Sequence, residues 1–212
     1  MLVFGIYCFV AIVNLVSAFY FKEALRKVTK CLLMPTLLAF FLLQTSNVYF
    51  TVVAAIIFSW AGDALLIQKE KPLFFRLGLA AFLLSHVFYI ITFLYLAKSF
   101  NYAALVVSAV VVIPLTIIIL RKLNAPKPMR IPVAAYAIII MLMSMAALQL
   151  MCAWPFFPTI LVFVASVVFV YSDSSMAYLL FNKQPKQFNA ITMIPYIIAQ
   201  GGIIMGLVLG FY

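Results

Sequence analysis

Acidic residues are nearly missing from this chain: there are four in 212 residues, against fourteen lysines and arginines and a single histidine. Charged residues of both signs make up only 8%, and hydrophobic residues reach 68%. That balance excludes a water-soluble globular domain and points to an all-α integral membrane protein, a single domain over 1–212. Cysteine is also sparse. Cys8, Cys31 and Cys152 lie in or beside apolar runs with no metal-ligand or redox spacing, which argues against a disulfide framework and a zinc site. The net charge of +10 would suit nucleic acid if it covered one face. Instead the basic residues fall between apolar runs, as topology signals at a membrane surface, so no nucleic-acid partner is expected.

What the chain does contain is a series of apolar runs long enough to cross a bilayer as helices. Eight are expected, near 3–21, 30–44, 48–67, 73–96, 101–120, 131–152, 157–181 and 189–211, the second being the shortest. The first does not read as a cleavable signal peptide, because its positive charges follow the apolar run. Thirteen basic residues fall in the loops after the first, third, fifth and seventh runs, and Lys98 alone falls on the other side. The positive-inside rule therefore predicts cytoplasmic odd-numbered loops, including Lys27, Lys71, Lys122 and Lys183, and non-cytoplasmic termini.

Two of the four acids, Glu23 and Glu70, sit among lysines in short polar segments. Asp63 and Asp173 are the two within apolar runs, where an ionisable group is costly and usually faces a protein interior to carry chemistry or transport. Structural pairing across helices is the alternative. With helices rising about 1.5 Å per residue, Asp63, Asp173, His86, Tyr136, Tyr196, Gln200 and Asn14 all fall in the cytoplasmic half. Spacing adds direction: Ser59 with Asp63, His86 with Tyr89, Tyr196 with Gln200, and Ser166 with Asp173 each share a helix face. One polar stripe per helix suits an internal cavity. For Ser59, Ser166 and Asn14, interhelical hydrogen bonding is the expected role. Gly202, Gly206 and Gly210 form a small-residue stripe that reads as helix packing. The position of Asp63 before Lys69-Glu70-Lys71-Pro72 is echoed by Asp173 before Asn182-Lys183-Gln184-Pro185, as a parallel four-plus-four duplication would produce.

The motifs, taken in order, resemble those of the lysoplasmalogenase or YhhN family of multi-pass membrane proteins. They are Lys30-Cys31-Leu32-Leu33-Met34-Pro35, Gly62-Asp63, Phe75-Arg76-Leu77-Gly78, Phe82 with His86 and Tyr89, Tyr136, Ser172-Asp173, and Tyr196 with Gln200. Cys31 stands where the family pattern has proline and Ala165 where glycine is expected; both read as packing positions. The resemblance implies cleavage of the vinyl ether bond of a lysophospholipid substrate, a lysoplasmalogen, to a fatty aldehyde and glycerophospho-ethanolamine or -choline. On that reading Asp63, Asp173 and His86 are the catalytic candidates. Lys30, Tyr89, Tyr136, Ser172, Tyr196 and Gln200 are the substrate-binding ones.

The residues fit that chemistry. Vinyl ethers hydrolyse by proton transfer to the β-carbon, giving an oxocarbenium ion that water captures. Two carboxylates in contrasting environments can divide the roles of proton donor and cation stabiliser, as in glycoside hydrolysis. Asp173, the deeper, is expected to be the general acid. Asp63, nearer its helix end and Lys69 and Lys71, is expected to be the charged partner. His86 is a candidate for orienting or deprotonating water, or for a structural hydrogen bond. A zinc site of one histidine and two aspartates would be poorer in ligands than hydrolytic metal sites usually are, so neither metal nor cofactor is expected. Lys30, Arg76 and Arg130 lie at helix ends where a lipid phosphate would sit, although topology alone also accounts for them. A proton-coupled carrier remains the rival reading, with an aspartyl intramembrane protease behind it.

Overall fold

The computed structural model describes residues 2–20, 22–45, 48–68, 70–123, 125–182 and 188–211, without the side chains of 188–191. These residues form eight α-helices and no strand. They are α1 Leu2–Phe19, α2 Glu23–Gln44, α3 Phe50–Leu66, α4 Pro72–Ala97, α5 Tyr102–Lys122, α6 Arg130–Ala153, α7 Phe157–Phe181 and α8 Phe188–Phe211, with a 3-10 turn at Lys127–Met129 before α6. Seven helices are long and apolar enough to cross a membrane; α3, at 17 residues, is shorter. Side chains such as Phe9, Val110, Val111 and Ile131 face outward, as a lipid-facing surface requires. The chain is built as an integral multi-pass membrane protein.

The largest departure from the expected spans is α2. It starts at Glu23, not near residue 30, and so takes Arg26, Lys27 and Lys30 into the helix. The segment Glu-Ala-Leu-Arg-Lys is made of strong helix formers, and Lys27 meets Glu23 one turn away at 3.8 Å. Hydropathy marked where the helix enters the apolar layer rather than where it begins. Lys30 is thereby fixed on a rigid helix wall.

Helix pairing repeats along the chain. α1 packs on α2, α2 on α3 and α3 on α4; likewise α5 packs on α6, α6 on α7 and α7 on α8. α4 crosses to α6, and α8 crosses to α2. This is the pairing a four-plus-four duplication would give. The halves differ at their first helices: α1 also packs on α8, while α5 rests chiefly on α6.

Glycines allow the closest approaches. A Cβ on Gly206 would sit 2.6 Å from the Pro158 carbonyl, and one on Gly202 would sit 2.9 Å from the Ala165 Cβ. The stripe on α8 is thus the surface on which α7 lies. Gly62 does the same beside Asp63, where an added Cβ would meet the Phe82 ring at 2.5 Å.

Candidate functional site

Two buried polar groups lie against Phe169, one at Tyr196 and one at His86. The first is built on α2, α3 and α8. Asp63, 1% exposed, takes the Lys30 ammonium at 3.2 Å on Oδ1 and the Tyr196 hydroxyl at 2.6 Å on Oδ2. Lys30, placed by sequence as a phosphate-binding candidate, is spent on this ion pair. Among the described residues the cation beside Asp63 is Lys30 of α2. Lys69 lies outside the described residues, and Lys71 is exposed, its ammonium 5.5 Å above the Phe74 ring.

The second group is built on α4, α6 and α7. The Tyr136 hydroxyl donates to Asp173 Oδ2, and His86 Nε2 lies 3.0 Å from the same hydroxyl and 3.7 Å from the carboxylate. Because the Tyr136 proton goes to the carboxylate, its oxygen is left to accept from His86. That assigns the imidazole proton to Nε2 and leaves Nδ1 as a bare acceptor. Nδ1 is buried and has no partner. Such an atom in a fully enclosed ring is uncommon and marks a place where a further donor, such as water, would bind.

Aromatic rings join the two groups. Phe169 stacks edge-on against His86 at 4.8 Å on one side and against Tyr196 at 5.7 Å on the other. Phe82 meets Tyr196 at 6.0 Å. The carboxylates are within each other's electrostatic reach, and the hydroxyls of Tyr136 and Tyr196 each feel both. Asp173 and Tyr136 border a small cavity of about 30 Å³, walled by Leu66, Phe75, Phe82, Val133 and Phe181 among others. That is room for a water molecule and little more. Phe75 and Phe181 close it with an edge-to-face contact at 6.1 Å.

The other sequence candidates are arranged differently. Tyr89 donates to Gln200 Oε1 at 2.9 Å, Gln200 Nε2 donates to Ser59 at 2.9 Å, and Ser59 meets Ser85 at 2.7 Å. This closed chain ties α3, α4 and α8 together under Asp63, and it engages both ends of the Gln200 amide. His86 and Tyr89 share a sector of α4 but reach different neighbours, α6 and α8. Ser172 lies beside Asp173 in sequence, yet its hydroxyl bonds the Thr192 carbonyl at 3.2 Å. Asn14 does bridge helices, to Thr29 at 2.9 Å and the Arg26 carbonyl at 3.0 Å. Ser166 instead bonds back to Phe163 within its own helix, a common alternative for serine.

Sequence reasoning missed Ser85, the partner of Ser59, and Tyr7, whose hydroxyl bonds the Ile197 carbonyl at 2.7 Å and ties α1 to α8. Ser85 had a signal, since it lies four residues before Tyr89 on the same face of α4. Tyr7 had none, because its partner is a backbone oxygen. Among the described residues there is no cluster of three or more metal-ligating side chains.

The family model described as YhhN family matches residues 25–207, from within α2 to within α8. No curated protein and no solved structure matches the chain. The match includes both acids, the histidine and both tyrosines that bind the acids, and leaves α1 outside.

Proposed function

The chain belongs to the YhhN family, and from that premise we propose that it is a membrane-embedded hydrolase of the vinyl ether bond of lysoplasmalogens. The products would be a fatty aldehyde and a glycerophospho-ethanolamine or -choline. The observation that carries this reading is the contrast between the two buried acids. One is ion-paired and enclosed, while the other is hydrogen-bonded to Tyr136, which His86 contacts in turn, at the edge of a cavity.

In the proposed cycle, Asp173 gives its proton to the β-carbon of the vinyl ether, and the double-bond electrons form the new C–H bond. Positive charge then spreads over the α-carbon and the ether oxygen. The negative charge of Asp63, held in place by Lys30 and Tyr196, stabilises that cation from across the aromatic wall. Water adds to the α-carbon and loses a proton to the bare Nδ1 of His86. The imidazole can pass its Nε2 proton to Tyr136, and Tyr136 its own to Asp173, which restores the acid and leaves the imidazole proton on Nδ1, from where exchange through water returns it to Nε2. The hemiacetal then breaks its C–O bond, its hydroxyl proton passing through water to the departing oxygen, to give aldehyde and free glycerol hydroxyl. Substrate entry requires α4 and α7 to part at Phe75 and Phe181, because the cavity is far smaller than a lipid.

The proposed topology has eight crossings with both termini outside and the site facing the cytoplasmic leaflet. α3 is packed between α2 and α4, and at 17 residues it lies at the short end of spanning helices. The 13-to-1 loop charge split supports the orientation. Lys69, Lys183 and Lys186, three of the thirteen, lie outside the described residues.

A proton-coupled carrier is the second reading, favoured by the buried Lys30–Asp63 pair, a pattern that also suits proton binding and release. Detergent-purified protein incubated with lysoplasmenyl-ethanolamine decides between them. Time-dependent aldehyde release is expected for the hydrolase, and intact substrate would leave the carrier.

A further inference from the structure

Among the described residues the basic side chains at the junction of α5 and α6 have no acidic partner. Arg121 and Lys122 end α5, Lys127 lies in the 3-10 turn, and Arg130 opens α6; all four are exposed. No aspartate or glutamate occurs between residues 71 and 172, so neither helix has an acid of its own. Among the described residues, no carboxylate lies within ion-pair distance of either arginine. Arg130 Nε bonds the Ala125 carbonyl at 3.3 Å, and the side chain borders an open recess. That recess is about 540 Å³ and is lined by Arg121 and Arg130 together with Leu123 and Val133.

A second space lies along the same helix pair, deeper in the apolar layer. It is a groove of about 270 Å³ bounded by Val111 and Leu115 of α5, Ser144 and Leu148 of α6, and Val167 of α7. On α6 the residues lining the two spaces include Arg130, Ala134, Met141, Met145 and Leu148. Their spacing of four, seven, four and three puts them on one stripe of the helix. A cationic mouth at the helix ends and an apolar trough thus lie on one face of α6, about two turns apart. The Ser144 hydroxyl, buried beside the trough, has no partner.

The equivalent pair in the first half shows how such a seam is closed. Between α1 and α2, Asn14 bonds Thr29 and the Arg26 carbonyl, and Lys27 has Glu23. α1 is further held to α8 by Tyr7. The α5–α6 seam has a side-chain clasp at its other end, where Gln149 bonds the Asn101 backbone in both directions. Its basic end stays open.

We propose that this seam is a binding site for a phosphate-headed lipid. The phosphate is held by Arg121 and Arg130, and the hydrocarbon chain lies in the groove between α5, α6 and α7. Planar guanidinium groups suit phosphate oxygens, and the absence of nearby acids makes the mouth selective for an anionic head. The site is separate from the paired acids: the cavity at Asp173 uses a neighbouring face of α6, and Val133 is the wall common to the recess and that cavity.

The test is native mass spectrometry of the full chain released from micelles titrated with three probes: diacyl phosphatidylglycerol, diacylglycerol without phosphate, and inorganic phosphate. Saturable retention of one phosphatidylglycerol, with the other two much weaker, is expected. R121Q/R130Q should weaken retention about 30-fold, roughly fivefold for each arginine, while R121K/R130K, which keeps the charge but loses the planar fork, should weaken it by less. Val111→Trp, at an exposed position that fills the groove, should weaken the lipid and leave inorganic phosphate unchanged. Asp173→Asn should have no effect. Equal retention of diacylglycerol would overturn the head-group part, and equal binding of inorganic phosphate would overturn the chain part. Loss of retention in Asp173→Asn would overturn a site distinct from the acids. Retention that ignores both the arginines and Val111 would overturn the site altogether.

Discussion

Asp63 is enclosed on every side, whereas Asp173, on the matching helix of the second half, borders a cavity. The first acid has a cation at 3.2 Å and a hydroxyl donor on its other oxygen. The second has a hydroxyl donor and a histidine 3.7 Å away, both able to carry protons. A charge paired with lysine stays where it is, and an acid at the end of a tyrosine–histidine chain can exchange protons. In the proposed cycle one repeated framework thus serves as an electrostatic half and a proton-handling half. The difference comes from the neighbours, Lys30 on one side and His86 on the other, and not from the acids.

Neutralising each acid breaks this comparison most forcefully. Asp173→Asn keeps the shape and removes the proton donor, so aldehyde release should fall by about 10² to 10⁴. Asp63→Asn should fall within the same range through loss of the charge. It should also lose stability, because Lys30 is left buried without its partner. Near-normal turnover in Asp173→Asn would remove it from the acid role.

Lys30→Met sharpens the electrostatic side. Removing one partner of a buried ion pair leaves an uncompensated charge and costs about 3–5 kcal/mol. A Lys30→Met/Asp63→Leu double variant should recover most of that loss while remaining inactive, as measured by thermal unfolding in detergent. Equal stability of single and double variants would mean that the pair is not coupled.

Gly62→Ala comes next, because it pushes the Phe82 ring toward Tyr196 and the Asp63 group. Overpacking of this kind costs about 1–3 kcal/mol. Tyr136→Phe should leave stability nearly unchanged but slow turnover by cutting the path from His86 to Asp173. Tyr196→Phe, which touches the enclosed acid, should act more on stability than on rate. The opposite pattern in these two phenylalanine variants would reverse the roles assigned to the two halves.

Most of this architecture could be read from the chain before any coordinates. Seven helices begin and end within two residues of the apolar runs, because lipid imposes a length that hydropathy reports directly. The scarcity of acids singled out Asp63 and Asp173, and helix direction put them at one depth with His86, Tyr136 and Tyr196. Lateral packing was not legible. Sequence offered Lys69 and Lys71 as the cations near Asp63, since they are its neighbours along the chain, while folding brings Lys30 from α2. The same limit explains Tyr89 and Gln200. Shared depth suggested a common cavity, but packing joined them to each other. Ser172 failed for another reason: adjacent residues on a helix point about 100° apart, so a neighbour of a site residue need not face the site.

The central claim is that Asp173 delivers a proton to carbon, and one measurement addresses it directly. The purified protein is run to a few turnovers on lysoplasmenyl-ethanolamine in D₂O, and the aldehyde is trapped at once and weighed by mass spectrometry. An acid that exchanges with solvent must place one deuterium on the carbon next to the carbonyl, and that singly labelled aldehyde is the predicted product. Aldehyde without the label, or recovery of intact substrate alone, would contradict the account.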